Sequence, residues 1–245
     1  MSLICTSKEY AIIRRNCLHC QLKGGYCEEM PTVLIIRHGE SQSNIGLPTS
    51  SPQSARLTAL GKEQAECLAD YLESRVSPDL IVTSSYERTR QTAVPTKLRF
   101  PSVPEVEWPV HEFTYLSEVE FPALSTVEDR KPLVNAYWEV CDPTRVDGPG
   151  SESFEMFIER VRGVMAKFEG TDDKTIAIFS HEQFICAVYW LLERNPERIT
   201  SEAMRDFRDF LMENSIPNAA FLRLQRSNDQ NDWQPEVVWP LLITV

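Results

Sequence analysis

The chain has 245 residues, 42% of them apolar, enough for one sizeable buried core, and a single α/β domain is expected. Its 36 Asp and Glu outweigh 25 Lys and Arg, and the net charge of -11 excludes nucleic acid and anionic membrane surfaces as natural partners, so an anionic substrate has to be caught by a local cluster of cations. The longest apolar stretches, such as Phe184 to Leu192, fall far short of the ~20 residues that span a bilayer, which predicts a soluble protein.

Residues 1–30 read as an unstructured leader ahead of a domain over 31–245. Met1 to Arg15 holds no apolar core bounded by small residues, so it does not read as a secretory signal, and a cytoplasmic location is expected. Cys17-Leu18-His19-Cys20, with Cys27 and Cys5, offers half of a zinc signature, because no second pair follows at the usual distance; no metal is expected. Seven cysteines, an odd number, argue against a disulfide framework, and Cys67 and Cys186 fall in helical apolar patterns as small hydrophobes. Met30 stands directly before the first strand, which raises the hypothesis that translation begins there; an intact mass that includes residues 1–29 would reject it.

Val33-Leu34-Ile35-Ile36 is a short β-branched run that reads as a buried parallel strand, and it ends in Arg37-His38-Gly39-Glu40. Ser41 to Arg56, with Gly46, Pro48 and Pro52, reads as a loop over the strand edge. Thr58 is expected to cap a helix carrying Leu60, Ala65, Leu68, Ala69 and Leu72, and Pro78 closes the connection. Asp79 to Thr83 is the next strand, and Ser84 to Ala93, including Arg88, is a second passage from loop to helix.

From Pro95 to Pro149 eight prolines break the alternation, so residues 95–150 are expected to form an irregular insertion or lid with one helix over Pro132 to Val140. Its aromatic residues, Trp108, Phe113, Tyr115, Phe121, Tyr137 and Trp138, fit either a ring-binding pocket or core. Ser151 is expected to cap an amphipathic helix with Phe154, Phe157, Ile158, Val161, Val164, Met165 and Phe168 on its apolar face. Thr175 to Phe179 is a strand that delivers His181, Gln183 to Leu192 the helix after it, and Ala220 to Gln225 and Glu236 to Val238 are closing strands around a polar loop, Ser227 to Gln234. The β-α-β-α order implies a parallel sheet with helices on both faces.

Two histidines brought by two strands to the sheet's carboxyl edge, one beside an arginine, point to a phosphate site. Phosphoryl transfer to a side chain needs an unprotonated nucleophile, cations on the nonbridging oxygens and an acid for the leaving alkoxide. His38 fits the nucleophile, since neutral imidazole is available near pH 7. Arg37, Arg88 and His181 fit an electrostatic clamp, with guanidinium forks matching phosphate oxygens in pairs. Asn44 is either a neutral donor or a turn stabiliser, and Gly39 is expected to let the phosphate approach the backbone. The leaving-group acid is Glu112 or its neighbour His111, with Glu112 favoured because an apolar surrounding would raise its pKa.

These residues resemble the histidine phosphatase superfamily, with its phosphoglycerate-mutase-like fold. Val33 to Glu40 with Asn44 resembles its nucleophile motif, Leu57 to Ala65 its first helix, Ser84 to Ala93 its second arginine motif, Ser180-His181 its second histidine, and Ile216-Pro217-Asn218-Ala219 the turn entering a late strand. The resemblance covers about residues 31 to 225. It implies a three-layer α/β/α sandwich with a mostly parallel central sheet, a phosphohistidine on His38, phosphate binding by Arg37, Arg88 and His181, and Glu112 as proton donor. The chain departs from the family in having Glu182 where a glycine usually follows the second histidine. It also lacks the Glu-Arg-His-Tyr-Gly segment of the cofactor-dependent mutases, which favours hydrolysis. The expected activity is therefore a phosphomonoester hydrolase needing neither metal nor cofactor and acting on a small-molecule phosphate ester. The alternatives are a phosphoglycerate mutase and a catalytically weak domain that binds a phosphate ester or phosphoprotein.

Overall fold

The computed structural model describes residues 31–49, 51–117, 125–170, 175–227 and 230–238. Every element below belongs to one compact unit, Pro31–Val245. The expected leader, its cysteine cluster and Phe121 lie outside the described residues.

The strands are β1 (Thr32–Arg37), β2 (Leu80–Thr83), β3 (Glu105–Glu107), β4 (Thr175–Ser180), β5 (Phe221–Ser227) and β6 (Gln230–Val238). The helices are α1 (Ala59–Arg75), α2 (Glu87–Arg99), α3 (Val127–Val140), α4 (Phe154–Glu169), α5 (Glu182–Arg194) and α6 (Ser201–Glu213). One six-stranded sheet runs β3-β2-β4-β1-β5-β6; the first four strands pair in parallel, while β5 and β6 are antiparallel. Strand side chains alternate between faces. Leu34, Ile36, Ile81 and Phe179 pack with Leu68 and Leu72 of α1 and Ala93 of α2. Val33, Ile35, Val82 and Ile178 face the larger core built by Tyr137 and Trp138 of α3, Phe154 and Phe157 of α4, Phe184 of α5 and Phe207 of α6. The α/β/α sandwich follows from this two-sided burial.

Several boundaries differ from the sequence reading. Pro95 does not end α2, which runs on to Arg99; the loss of one N–H is outweighed by burial of Thr92, Ala93 and Thr96 around it. The stretch over 95–150 is not wholly irregular, since β3 adds an exposed edge strand and α3 begins at Val127 under a capping box between Thr126 and Asp129. Ser153, not Ser151, caps α4 by accepting from Met156 N at 3.2 Å, while Ser151 Oγ bonds Gly148. α6 is a helix that the strand-oriented reading passed over: Thr200 caps it, and Met204, Phe207 and Phe210 recur on its buried face. β6 starts inside the expected polar loop, because an edge strand needs one buried face and Trp233 supplies it. Tyr137 and Trp138 are core, and Trp108 packs half-buried against it.

Candidate active site

β1 and β4 are parallel neighbours in a register that sets Arg37 opposite Ser180. The next residue of each strand, His38 and His181, therefore leaves the sheet beside the other, with ring centroids 5.2 Å apart and edge to face. β2 flanks β4 on its other side, so Ser84, the residue after β2, reaches the same edge. Arg88 comes from the first turn of α2 and is buried between the two imidazoles.

Arg88 makes three donations: Nε to His38 Nε2 at 2.9 Å, Nη2 to His181 Nδ1 at 2.9 Å, and Nη1 to Pro52 O at 2.6 Å. A guanidinium has only donors, so both imidazole nitrogens facing it accept, and the protons sit on the opposite nitrogens. His38 Nδ1–H donates to Gly39 O at 2.7 Å. His181 Nε2–H donates to Ser84 Oγ at 2.8 Å, the Ser84 hydroxyl donates to Thr89 Oγ1 at 2.7 Å, and Thr89 Oγ1 donates to Tyr86 O at 2.7 Å. Each polar partner in this chain has one direction, so one cation sets the tautomers of two histidines. Burial, and then the charge of Arg88, hold both imidazoles well below their ordinary pKa, and both are neutral at pH 7. Burial also brings Arg88 down to about 10.

Arg37 differs from the expected open fork. Its Nη1 donates to Ile216 O, and its Nη2 lies 2.9 Å from Glu182 Oε2; Nε is buried with no hydrogen-bond partner among the described residues. Asn44 uses Oδ1 to accept from Ser41 N at 3.0 Å and Ser41 Oγ at 2.8 Å, which is the turn-stabilising arrangement. Gly39 has a packing role. A Cβ there would run into Gly61 O of α1, a Cβ on Gly61 would run into Glu40 O, and Gly39 N donates to Thr92 Oγ1 at 3.0 Å. The histidine turn is thus pressed against two helices.

Glu112 sits across from this cluster. Its Oε1 accepts from Gln183 N at 3.1 Å in the first turn of α5 and from Phe113 N at 3.2 Å, and burial raises its pKa. His111 instead stacks on Tyr86 at 6.0 Å, with its pKa lowered to about 4 by burial and then by Arg160. The segment is anchored from below by Arg160, which pairs with Glu152 at 2.6 Å and donates to His111 O at 3.0 Å, while Glu152 accepts from Thr114 N at 3.1 Å. Arg88 and Glu112 border a cavity of about 250 Å³ whose wall includes Tyr86, Phe113, Tyr115 and Val134.

The geometry brings Arg37, His38, Arg88, Glu112 and His181 to one place. The sequence assigns no role to Ser84, Thr92, Glu152 or Arg160, and Asn218, expected in the turn entering a late strand, donates from Nδ2 to His38 O at 3.0 Å. The signal in the sequence is the Ile216-Pro217-Asn218-Ala219 turn, in which Ala219 takes φ 60, a left-handed conformation costly for an alanine, and its N–H reaches Arg37 O and His38 O. Among the described residues no three His, Cys, Asp or Glu side chains are grouped to hold a metal ion, and no helix there is long and apolar enough to cross a membrane.

The family model for the histidine phosphatase superfamily (branch 1) matches residues 33–209. The adenosylcobalamin/alpha-ribazole phosphatase of Escherichia coli (strain K12) is 29% identical over 184 residues, spanning 71% of this chain and 83% of that protein. The 6-phosphofructo-2-kinase/fructose-2,6-bisphosphatase of Gallus gallus is 25% identical over 169 residues, 68% of this chain but 34% of that longer protein. Among solved structures, the alpha-ribazole phosphatase from Shigella flexneri superposes with a TM-score of 0.64 at 23% identity, over 84% of this chain and 95% of that one, which supports the fold.

Proposed function

The chain belongs to the histidine phosphatase superfamily (branch 1), and from that premise we propose a phosphomonoester hydrolase that works through a phosphohistidine on His38. The observation that carries this reading is the donation of Arg88 to the facing nitrogens of both buried, neutral histidines. An incoming phosphate presents its oxygens to those same N–H groups. This frees the Nε2 lone pair of His38, while the bond from Nδ1 to Gly39 O holds the ring.

Attack by Nε2 forms the N–P bond as the ester P–O bond breaks. Glu112, whose pKa burial raises above the ordinary carboxyl value, is the acid that delivers a proton to the departing alkoxide. In the second half the Glu112 carboxylate takes a proton from water, whose oxygen displaces His38 from phosphorus, and inorganic phosphate leaves. Arg88 and the buried Nε of Arg37 supply donors for the nonbridging oxygens. As a monoanionic ester binds, His181, backed by Ser84, takes its proton on Nδ1 and becomes a further donor to the resulting dianion. These groups cover the charge of the transferring group, so the reaction proposed needs no metal.

Small phosphate esters suit a cavity of about 250 Å³, and the alpha-ribazole phosphatase is named for such an ester. A cytoplasmic setting is part of the proposal, supported by the free thiols of Cys67, Cys141 and Cys186. Hydrolysis of p-nitrophenyl phosphate in excess chelator, wild type beside His38→Ala, tests the mechanism. Chelator-resistant turnover lost in the variant, with an acid-labile phosphoprotein trapped only in wild type, is the expected result; turnover surviving in His38→Ala would refute the nucleophile.

A further inference from the structure

Glu182 stands at the first position of α5, directly after His181, and its carboxylate is spent on two partners. Oε2 pairs with Arg37 Nη2 at 2.9 Å, and Oε1 accepts from Ser215 Oγ at 2.7 Å. The Arg37 and Glu182 side chains are 12% and 24% exposed, so the pair is weakly screened by solvent. With Nη1 committed to Ile216 O, Arg37 is gripped at both terminal nitrogens, and its positive charge is balanced on the side facing α5. The phosphate pocket thus holds two guanidiniums and one carboxylate, against a dianionic ligand. Glu182 also acts on Glu112, raising its pKa alongside the larger effect of burial, while Arg88 and Arg37 oppose both.

The cavity beside this pocket carries two guanidiniums, Arg88 and Arg130, against the Glu112 carboxylate, and Arg88 is committed to the two histidines. Its wall is aromatic and aliphatic, with Tyr86, Phe113, Tyr115, Leu116, Val127 and Val134. Apart from Arg88, the one cation among the described residues lining it is Arg130, whose Nε donates to Thr126 O at 3.2 Å. A leaving group carrying its own carboxylate or phosphate would be desolvated there beside Glu112 and within reach of the field of Glu182.

We propose that Glu182 is a specificity-determining residue: by neutralising Arg37 it leaves the site short of positive charge, so the site takes phosphate monoesters with uncharged apolar or ring-bearing leaving groups and disfavours those bearing a second anion. The inference rests on the phosphomonoester reading of the same site and adds the substrate class.

The test uses the full chain and a matched pair of non-hydrolysable ligands, benzylphosphonate and 4-carboxybenzylphosphonate, titrated by calorimetry. Wild type is expected to bind the uncharged ring about tenfold tighter, the size of one unfavourable charge interaction at an effective dielectric near 20. Glu182→Gln keeps an oxygen for Arg37 and turns an amide N–H to Ser215 Oγ, but removes the charge. It should narrow that ratio to about threefold or less and tighten binding of inorganic phosphate severalfold. Ser215→Ala, which loosens Glu182 without touching Arg37, should shift both readings in the same direction by less. Equal or tighter binding of the carboxylated ligand by wild type overturns the proposal, as does a Glu182→Gln variant with ratio and phosphate affinity unchanged. Equal binding of the two phosphonates by wild type while p-nitrophenyl phosphate turns over would remove the selectivity and keep the hydrolase. Discrimination without any turnover would do the reverse, and no binding of either ligand would overturn both.

Discussion

Arg88 Nε donates to His38 Nε2 at 2.9 Å, so the lone pair that attacks phosphorus in the proposed reaction is held by the cation that would bind the phosphate. The same guanidinium reaches His181 from Nη2. Exchange of these two bonds for bonds to phosphate oxygens leaves no donor unpaired, because a planar fork offers its N–H groups in fixed directions.

A lysine cannot reproduce that fork. Arg88→Lys retains the charge but reaches one acceptor well at a time, and kcat/KM for p-nitrophenyl phosphate should fall by about 10²–10³. Steady-state kinetics decide this; a lysine variant within tenfold of wild type would mean that charge alone suffices.

Glu112 is held by Gln183 N and Phe113 N, with its pKa raised by burial. Glu112→Gln keeps an acceptor oxygen but has no proton to give. Turnover of an alkyl phosphate should drop about 10²–10⁴-fold, whereas p-nitrophenyl phosphate, whose leaving group needs no proton, should lose far less in its first step. Burst-phase kinetics on the two esters separate these cases, and equal losses on both would argue against a proton donor.

Ser84 Oγ receives the proton-bearing nitrogen of His181 and is itself buried. Ser84→Ala strands that N–H, at a cost of about 1–3 kcal/mol. The ring should respond by changing tautomer, visible in nitrogen NMR of the imidazole, with kcat reduced more than KM is raised. An unchanged His181 tautomer together with unchanged kcat would limit Ser84 to packing.

The backbones of Gly39-Glu40 and Gly61 approach too closely for any side chain at either glycine. Gly61→Ala should destabilise the protein by about 3 kcal/mol or shift the His38 turn away from α1. Urea unfolding measures the first and activity the second; a variant with wild-type midpoint and activity would show that the contact relaxes freely.

Stability should decline as pH falls from about 7 towards 5. His38, His181 and His111 are held below their ordinary value, chiefly by burial, with His111 at about 4. Unfolding returns them to about 6.5, so below that pH the unfolded chain binds more protons and ΔG of unfolding rises with pH across the window. Glu112 works in the opposite sense, since its raised pKa makes the folded state the better proton binder above the ordinary carboxylate value. Three groups against one leave a net loss on acidification. Calorimetric Tm across this range is the check, with a shallower slope expected in His181→Asn; a Tm that is flat or increases as pH falls contradicts the account.

Much of the site was legible because it depends on local rules. A β-branched run ending in Arg37-His38 marks a strand end, Ile176 to Ser180 before His181 marks another, and Thr58 before an apolar spacing marks the cap of α1. Near-neighbour constraints of this kind are written in consecutive residues. α6 was legible in principle, through Thr200 and the recurrence of Met204, Phe207 and Phe210, but its charged residues masked the apolar period. The orientation of Arg37 was not legible, nor was the tautomer of His181, the packing role of Gly39 or the anchoring of Glu112 by Gln183. Each depends on residues far apart in the chain that meet only because the sheet order sets β1 beside β4 and β4 beside β2. The sequence by itself determined which chemical groups arrive at the carboxyl edge of the sheet. Tertiary structure alone decided which of them touch, since hydrogen bonds act over about 3 Å and a strand register error of one residue would turn every side chain to the other face.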